Sequence, residues 1–386
     1  MRAISEIMFH LIKCSVCECE LDESLVGELS DEAFAELYRL SKPQDMTHIL
    51  ADVLLSNGLI PDGENKKLYS KERMTAVYRH AQIKHELSRL FSALDESKIR
   101  YMPLKGSVIR KYYPKPELRT SCDIDIFVDS ADLEQASSVL SEKLAYRFDV
   151  RTPHDVAFFS ESNTHVELHF DLIENDERVR AVLSRVWEES MPDGDSAYRA
   201  VMTNEMLMTY HVAHMAKHFS SGGCGVRPFL DLWILKNKMG YDKDKAAHML
   251  SECGLNTFFE SALHLTDVWF ADGEHTALTE EMEEYILGAS IYGNVENRVA
   301  ILKTKRGGRF RYVMGRIFLP YGKLKKIYPR LEKYPVLLPF YEVKRWLRLV
   351  FRKDTSRALY ELKVSGNVSD ERANRLTTML NSLGLN

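Results

Sequence analysis

The chain has 386 residues, of which 45% are hydrophobic and 28% charged, as in ordinary soluble globular proteins. This composition excludes a disordered chain, a collagen and a small disulfide-stapled domain, and the length predicts two or three domains. No apolar run approaches the roughly 18 residues of a membrane span. Six cysteines, unevenly spaced, do not make a disulfide framework, so we expect a reducing, cytoplasmic compartment and no signal peptide.

Charge is distributed unevenly along the chain. Residues 303–357 contain 17 Lys and Arg against 3 Asp and Glu, whereas residues 1–302 carry 32 basic and 50 acidic residues. Aromatic and aliphatic residues are interleaved with the basic ones. Such a segment suits nucleic acid such as RNA, or an anionic membrane surface. It suits equally well a segment that packs on the acidic remainder of the chain, or a solvated helix face.

Residues 1–97 are predicted to be helical. Ser30 is a good N-cap, and apolar positions recur at helical spacing over residues 34–40, 46–59 and 66–94. Near the start, three cysteines follow one histidine, in the order His10, Cys14, Cys17, Cys19. This group is compatible with a metal site but lacks a second cysteine pair. A helix face that packs small residues into a core is the favoured interpretation.

Shorter alternating segments follow and predict a small sheet. Strands are expected over residues 100–104, 122–128, 156–159 and 164–172, and helices over 108–113 and 131–144. From residue 179 the pattern is helical again, most clearly over residues 204–219, 229–238 and 256–269. We predict an α+β fold in which a small mixed β-sheet core is flanked by N-terminal and C-terminal helical regions. Its regions are an N-terminal helical region (1–97), the sheet core (98–178), a helical cap (179–300) and a basic helical C-terminal region (301–386).

Two aspartates stand out on the strand over residues 122–128. Asp123 and Asp125 are two positions apart, so their carboxylates point to one face, while Ile124 and Ile126 point to the other. Adjacent like charges repel unless a cation lies between them. The pattern indicates a site for a divalent ion such as Mg²⁺ or Mn²⁺, with an ordinary solvated strand face as the alternative.

The segment before this strand suits a phosphate. Lys105, Gly106 and Ser107 lie at a strand-to-helix transition. Glycine lets a phosphate approach the backbone closely, and a helix start supplies free N–H groups. Ser107 adds a hydroxyl donor and Lys105 a positive charge. The pair Gly106–Ser107 is a weak indication alone, and its position one short helix before the aspartates strengthens it.

A third carboxylate lies on the strand over residues 164–172. There Glu167, His169 and Asp171 alternate with apolar residues and share one face. We expect Glu167, rather than Asp171, to join the two aspartates, because it has apolar neighbours on both sides as they nearly do. Three acids of this kind would hold two metal ions, which clamp the attacking and leaving oxygens of an in-line displacement.

Together these segments resemble the polymerase-beta-like nucleotidyltransferase superfamily, and most closely its bacterial branch called nucleotidyltransferase family 5. The resemblance rests on residues 104–107, Arg119, residues 123–128 and residues 166–169. It implies a nucleoside triphosphate as substrate and Mg²⁺ or Mn²⁺ as cofactor. The implied ligands of the metal ions are Asp123, Asp125 and Glu167, and those of the phosphates are Lys105, Gly106, Ser107 and Arg119. Two departures are the long spacer over residues 108–122 and glutamate in place of the commoner third aspartate.

A histidine-rich helix follows in the cap region. His211, His214 and His218 share one face, and the last two have the i, i+4 spacing. This spacing leaves three interpretations open, which are a zinc site, a structural role and the lining of a phosphate pocket, for which His214 and His218 are the candidates. By analogy with related superfamily enzymes, Asp231 is a candidate base toward the acceptor hydroxyl, and a plain Arg227–Asp231 helix pair is the alternative.

The predicted function is nucleotidyl transfer from a nucleoside triphosphate to an unknown acceptor hydroxyl by two-metal catalysis. RNA, protein, a metabolite or an antibiotic are the acceptor classes that stay open. One rival is a metal-dependent nucleotide-sugar glycosyltransferase, which also uses an Asp-x-Asp motif. That fold needs an α/β nucleotide-binding region before the motif, where this sequence is helical. The other rival is a non-catalytic nucleotide-binding module on the same fold.

Overall fold

The computed structural model describes residues 2–17, 19–27, 29–172, 176–290, 293–350 and 355–385. The chain separates into two compact units. The first consists of Met1–Lys217 and Cys224–Ile291, and the second of His218–Gly223 and Tyr292–Asn386. The boundaries predicted at residues 97 and 178 fall inside the first unit and stay predictions.

Thirteen helices of the described residues begin in the first unit. They are α1 (Arg2–Val16), α2 (Glu23–Val26), α3 (Asp31–Ser41), α4 (Thr47–Ser56), α5 (Glu64–Glu96), α6 (Gly106–Ile109), α7 (Leu133–Ser138), α8 (Glu177–Leu183), α9 (Asn204–Ser220), α10 (Val226–Ile234), α11 (Lys243–Cys253), α12 (Asn256–Phe270) and α13 (Ala277–Leu287). Ser30 caps α3 as predicted, since its hydroxyl accepts a hydrogen bond from Ala33 N at 3.2 Å. None of the helices in the described ranges combines the length and apolar character that crossing a membrane requires.

Five strands form the central sheet. They are β1 (Tyr101–Pro103), β2 (Asp123–Val128), β3 (Arg147–Arg151), β4 (Asp155–Phe159) and β5 (His165–His169), and their spatial order is β1-β2-β5-β4-β3. Strands β2 and β5 are parallel, and the other neighbouring pairs are antiparallel. A separate two-stranded sheet pairs β6 (Ser190–Pro192) with β7 (Ala200–Met202). The α+β fold with a small mixed sheet is therefore confirmed.

One face of the central sheet is packed into a core. Ile124 and Ile126 of β2 and Val166 and Leu168 of β5 are fully buried there. They pack with apolar residues of α5 and α7, among them Leu90. This burial is the main stabilisation of the sheet, at roughly 25 cal/mol for each Å² of apolar surface removed from water. Because side chains alternate along a strand, burying these residues directs Asp123, Asp125 and Glu167 to the opposite face.

Most predicted elements are present, with shifted ends. The predicted helix over residues 131–144 is α7 followed by a π-helical turn, Val139–Lys143, and the one over residues 108–113 is α6 followed by a 3₁₀ turn. Strand β3 was not predicted. Its sequence does alternate, but it offers only two apolar residues, Phe148 and Val150, and all five of its residues are exposed rather than half-buried. Strands β6 and β7 are also additions, since three residues are too few for a periodic pattern.

The second unit contains the basic segment. Its helices are α14 (Val295–Lys305), α15 (Arg309–Ile317), α16 (Tyr321–Ile327), α17 (Arg330–Lys333), α18 (Leu338–Val350), α19 (Thr355–Asn367) and α20 (Asp370–Ser382). One small core forms around Val299, Tyr312 and Val364, and another around Leu324, Leu331 and Tyr341. The helical character predicted for the C-terminal region is confirmed in its described part. Residues 351–354 of the predicted basic segment lie outside the described residues.

Candidate active site

Strands β2 and β5 bring the predicted acids together. In their parallel register Asp125 lies opposite Glu167, and Asp123 lies opposite His165. Residues opposite each other on neighbouring strands point to the same face of the sheet. Asp123, Asp125 and Glu167 therefore line one surface, although more than forty residues separate the last from the first in the chain.

Asp125 is the most enclosed of these acids, with 3% of its surface exposed. Its Oδ1 accepts hydrogen bonds from Lys105 Nζ at 2.7 Å and from His169 Nε2 at 2.8 Å. Burial opposes ionisation, but the positive charges of Lys105 and His169 outweigh burial and hold the pKa of Asp125 well below its usual range. Asp125 is therefore a buried anion that is held by two cationic groups.

His169 joins the acids at the end of β5. Its Nε2 lies 3.2 Å from Glu167 Oε2 as well as bonding to Asp125. Burial disfavours the imidazolium, yet the hydrogen bonds to Asp125 and Glu167 prevail and raise the pKa of His169 to about 9. Strand alternation predicts His169 on the same face as Glu167, but His169 was not among the predicted site residues. The alternation of polar and apolar residues along β5 was the signal from which its place in the site could have been predicted.

Asp123 lies at the start of β2 and is half-buried. Burial and the negative charge of Asp125 raise its pKa, and the charge of Glu167 adds to this effect. Asp123 thus shares the electrostatic environment of the other two acids. Three carboxylates placed close together on one face are an arrangement that a cation stabilises. We call Asp123, Asp125, Glu167 and His169 the acid cluster.

The Lys105–Ser107 bend leads directly into this cluster. Leu104 N donates to Asp125 O at 3.0 Å, which fixes the bend beside β2. Lys105 has φ +46°, a left-handed conformation that is costly for a side chain other than glycine. Gly106 does not have a positive φ, so its backbone conformation alone does not call for glycine. A Cβ atom there would lie 3.1 Å from Arg119 Nη1 and 3.3 Å from Ser121 Cβ, so a larger residue would press on both side chains.

Ser107 is the unsatisfied group of the bend. Its Oγ is buried and has no hydrogen-bond partner among the described residues. A buried hydroxyl without a partner costs stability, and native structures keep few of them. An anionic oxygen of a ligand would satisfy it.

Arg119 and Asp231 form a buried ion pair. Arg119 Nε lies 2.8 Å from Asp231 Oδ1, and Arg119 Nη2 lies 2.8 Å from Asp231 Oδ2. Tyr113 donates to the same carboxylate at 2.7 Å, and Arg119 Nη1 donates to Thr120 O at 2.6 Å. Asp231 is only 1% exposed. Arg119, predicted to contact phosphate, and Asp231, predicted as the base, are thus paired with each other, and both roles stay predictions.

The alternative pairing of Arg227 with Asp231 is wrong. Arg227 Nη1 instead lies 2.9 Å from Asp45 Oδ2 and 3.4 Å from Thr120 O. The competing partner is Arg119, which sequence spacing could not indicate because it is 112 positions from Asp231. The positive charge of Arg227 also lowers the pKa of Asp123, although burial and Asp125 dominate there.

The histidine face of α9 gathers no metal-binding group in the described part of the chain. The described residues contain two groups of three potential metal ligands, and neither group includes His211, His214 or His218. His211 is buried and its Nε2 lies 2.8 Å from Pro228 O. His214 is half-buried beside Tyr210, and His218 is exposed. These positions favour the structural interpretation for His211, while the phosphate role of His214 and His218 stays a prediction.

The donor set of the acid cluster fits a hard divalent cation. Single ligand atoms from Asp125, Glu167 and His169 all lie within 4.8 Å of one another. Carboxylate oxygens are the ligands that Mg²⁺ and Mn²⁺ prefer, and Asp123 supplies a further one on the same face. The orphaned Ser107 hydroxyl and the mutual repulsion of the acids both agree with a charged ligand at this place.

Comparison with known proteins gives one match. The sequence model of a family described as uncharacterised nucleotidyltransferase matches residues 30–271, which is more than half of the chain and includes the central sheet, the bend and the Arg119–Asp231 pair. No curated protein matches the chain, and no solved structure matches it.

Proposed function

Because the chain belongs to this family of uncharacterised nucleotidyltransferases, we propose that it transfers a nucleoside monophosphate group from a nucleoside triphosphate to an acceptor hydroxyl. One observation carries the proposal. Asp125 lies opposite Glu167 on adjacent parallel strands, and the same carboxylate is bonded to Lys105 of the bend. Acids that hold cations and a bend that holds phosphates would therefore adjoin each other.

Asp123, Asp125 and Glu167 are the proposed ligands of two divalent ions, Mg²⁺ or Mn²⁺. Held by these residues, such ions would supply positive charge to offset the negative charge that develops on the phosphate oxygens during transfer. His169 acts as a positioning residue, because its bonds to Asp125 and Glu167 hold the two carboxylates side by side.

The bend is the proposed binding site for the triphosphate. Ser107 Oγ has no other partner among the described residues and would donate to a phosphate oxygen, and Lys105 would supply a positive charge. Arg110, which was not predicted, donates to Gly106 O at 2.7 Å and to Ser121 Oγ at 2.8 Å. It is buried and positions the bend from behind.

The Arg119–Asp231 pair has a proposed positioning role. Arg119 packs against Gly106 and is held by Asp231, so the pair would keep the bend in a fixed position relative to the sheet. Phosphate contact by Arg119, proton abstraction by Asp231 and phosphate contact by His214 and His218 remain proposals that variants at these positions can decide.

The test is incubation of the purified chain with each nucleoside triphosphate labelled at the α-phosphate, with Mg²⁺ or Mn²⁺. Label should appear on the protein, on added RNA or on a small molecule, which names the acceptor class, and pyrophosphate should be released. Asp125→Asn should abolish transfer. Asp149→Asn, which changes an exposed acid of β3 in the same sheet, should leave transfer intact.

Two results would replace this function with a rival. Release of a nucleoside diphosphate from a nucleotide sugar would indicate a glycosyltransferase, against which stands the absence of any strand before β1 in the described residues. Metal-dependent triphosphate binding without turnover, lost in Asp125→Asn, would indicate a non-catalytic nucleotide-binding module.

A further inference from the structure

A second group of potential metal ligands lies far from the acid cluster in sequence, at the end of α1. His10 and Cys14 are four residues apart on this helix and therefore share a face. Cys14 Sγ lies 3.5 Å from His10 Nε2 and 3.0 Å from Cys19 Sγ. All three residues are partly exposed.

The chemistry of this group differs from that of the acid cluster. It offers two sulfur atoms and one imidazole nitrogen, the donors that zinc prefers, whereas hard cations prefer oxygen. Three of the six cysteines of the chain lie within residues 14–19, a density that simple core packing does not require. Partial exposure gives a metal ion access and leaves room for a water molecule as fourth ligand.

We propose that His10, Cys14 and Cys19 bind one zinc ion, with water completing a tetrahedron. Zinc–sulfur bonds of about 2.3 Å place two sulfurs about 3.8 Å apart, so the two thiols would separate by less than about 1 Å. Both thiols donate to Glu20 O at 3.4 Å in this structure, and Asp22 N donates to His10 Nε2 at 3.0 Å. Binding would release the two thiol protons and replace these weak bonds, which ties the turn after α1 to the helix.

Cobalt substitution of the reduced, full-length chain tests this site. We expect the near-ultraviolet charge-transfer band of a cobalt–thiolate bond to saturate at one thiolate-bound Co²⁺ per chain, in addition to any Co²⁺ that the acid cluster holds, and to be lost on addition of Zn²⁺. Cys14→Ala and Cys19→Ser should each remove the band. Cys122→Ala, which changes an exposed cysteine elsewhere, should keep it, and so should Asp125→Asn.

Two results would overturn the proposal. One is the absence of a thiolate band at saturating Co²⁺, and the other is a band that survives both Cys14→Ala and Cys19→Ser. Circular dichroism spectra of the variants separate a lost ligand from a lost fold. Because the readout is metal binding through sulfur, failure here leaves the proposed transfer activity untouched.

Helix α18 in the second unit presents a separate feature. It buries one pair of charged residues and exposes several apolar ones. Arg345 and Glu342 form an ion pair 2.9 Å long, and each is less than one-tenth exposed. Phe340, Val343 and Leu347 are instead 58–61% exposed. Their spacing of three and four residues aligns them in one stripe along the helix.

Basic residues accompany this stripe. Lys344 and Arg348 follow its apolar members on the exposed side of the helix, and the surrounding residues 303–357 carry a net charge of +14. Of the three stripe residues only Phe340 offers a ring on which a nucleotide base could stack, whereas the aliphatic Val343 and Leu347 suit the acyl region of a bilayer. The combination favours an anionic lipid surface over RNA.

We infer that the exposed face of α18 docks on an anionic membrane surface and lies parallel to it. Apolar residues would enter the headgroup boundary while Lys344 and Arg348 contact lipid phosphates. We choose a lipid surface rather than another protein as the partner, because the net positive charge of residues 303–357 is complementary to anionic headgroups.

Co-sedimentation of the full chain with phosphatidylcholine vesicles, with and without phosphatidylglycerol, tests this surface. We expect binding only with the anionic lipid and weakening at high salt. Val343→Glu with Leu347→Glu should weaken partitioning by at least about tenfold. Met74→Glu, which changes a side chain of α5 that is 66% exposed, should not. Unchanged binding of the double variant, or binding to single-stranded RNA but not to vesicles, would overturn the inference.

Discussion

The first unit contains two buried groups of charged residues that differ in how their charges are balanced. In the Arg119–Asp231 pair, every polar atom of the carboxylate has a partner and the opposite charges cancel. In the acid cluster, Asp123, Asp125 and Glu167 repel one another, and Lys105 and His169 compensate only in part. Complete pairing is typical of a structural role, and incomplete pairing is typical of a site that awaits a charged ligand.

The largest effect is expected when the structural pair is broken. Asp231→Asn leaves the Arg119 guanidinium buried without a counter-charge, so the free energy of unfolding should fall by about 3–5 kcal/mol. Urea denaturation followed by circular dichroism measures this loss. Glu134→Gln, which breaks the exposed Arg151–Glu134 pair, should cost less than about 1 kcal/mol. Equal small losses in both variants would contradict the structural role.

Removing a member of the acid cluster should lower activity strongly and stability very little. Glu167→Gln takes away a proposed ligand from a partly exposed position, so nucleotidyl transfer should fall at least about 100-fold. Stability should change by less than about 1 kcal/mol, since its contacts are at the solvent edge. Transfer assays and thermal unfolding of the same preparation check both. Full activity in this variant would remove Glu167 from the site.

Gly106→Ala links the two groups, because Gly106 packs against Arg119 at the bend. The added Cβ would lie 3.1 Å from Arg119 Nη1, which Asp231 and Thr120 hold in place, so about 1–3 kcal/mol of stability should be lost. Gly322→Ala is the control, as no atom lies within 4 Å of that Cβ position, and it should be neutral or stabilising. A neutral Gly106→Ala would show that the bend can move away from Arg119.

Ser107→Ala should have the smallest effect. Removing a buried hydroxyl that has no partner among the described residues should leave thermal stability unchanged or slightly higher. Affinity for a nucleoside triphosphate should fall about tenfold, because one hydrogen bond to a charged phosphate is lost. Isothermal titration measures the affinity. Unchanged affinity would place the triphosphate elsewhere.

Much of the site could be predicted because strand alternation constrains it locally. Burial of Ile124 and Ile126 fixes the direction of Asp123 and Asp125, and the same rule placed Glu167 and His169 on one face. What could not be predicted depends on partners distant in the chain. The partners of Asp231, Arg119 and Tyr113, are more than one hundred positions away in the chain, and its role as a base stays a prediction. Strand β3 offers only two apolar residues, Phe148 and Val150, and all of its residues are exposed.

Manganese binding tests the difference between the two groups most directly. Titration of the full chain with Mn²⁺, followed by electron paramagnetic resonance of the free ion in the presence of a nucleoside triphosphate, should show bound Mn²⁺ in the wild type and in Asp149→Asn. Glu167→Gln and Asp125→Asn should each lose that binding. If both cluster variants bound Mn²⁺ as the wild type does, the acids would not be the metal site, and the account of this face of the sheet would be wrong.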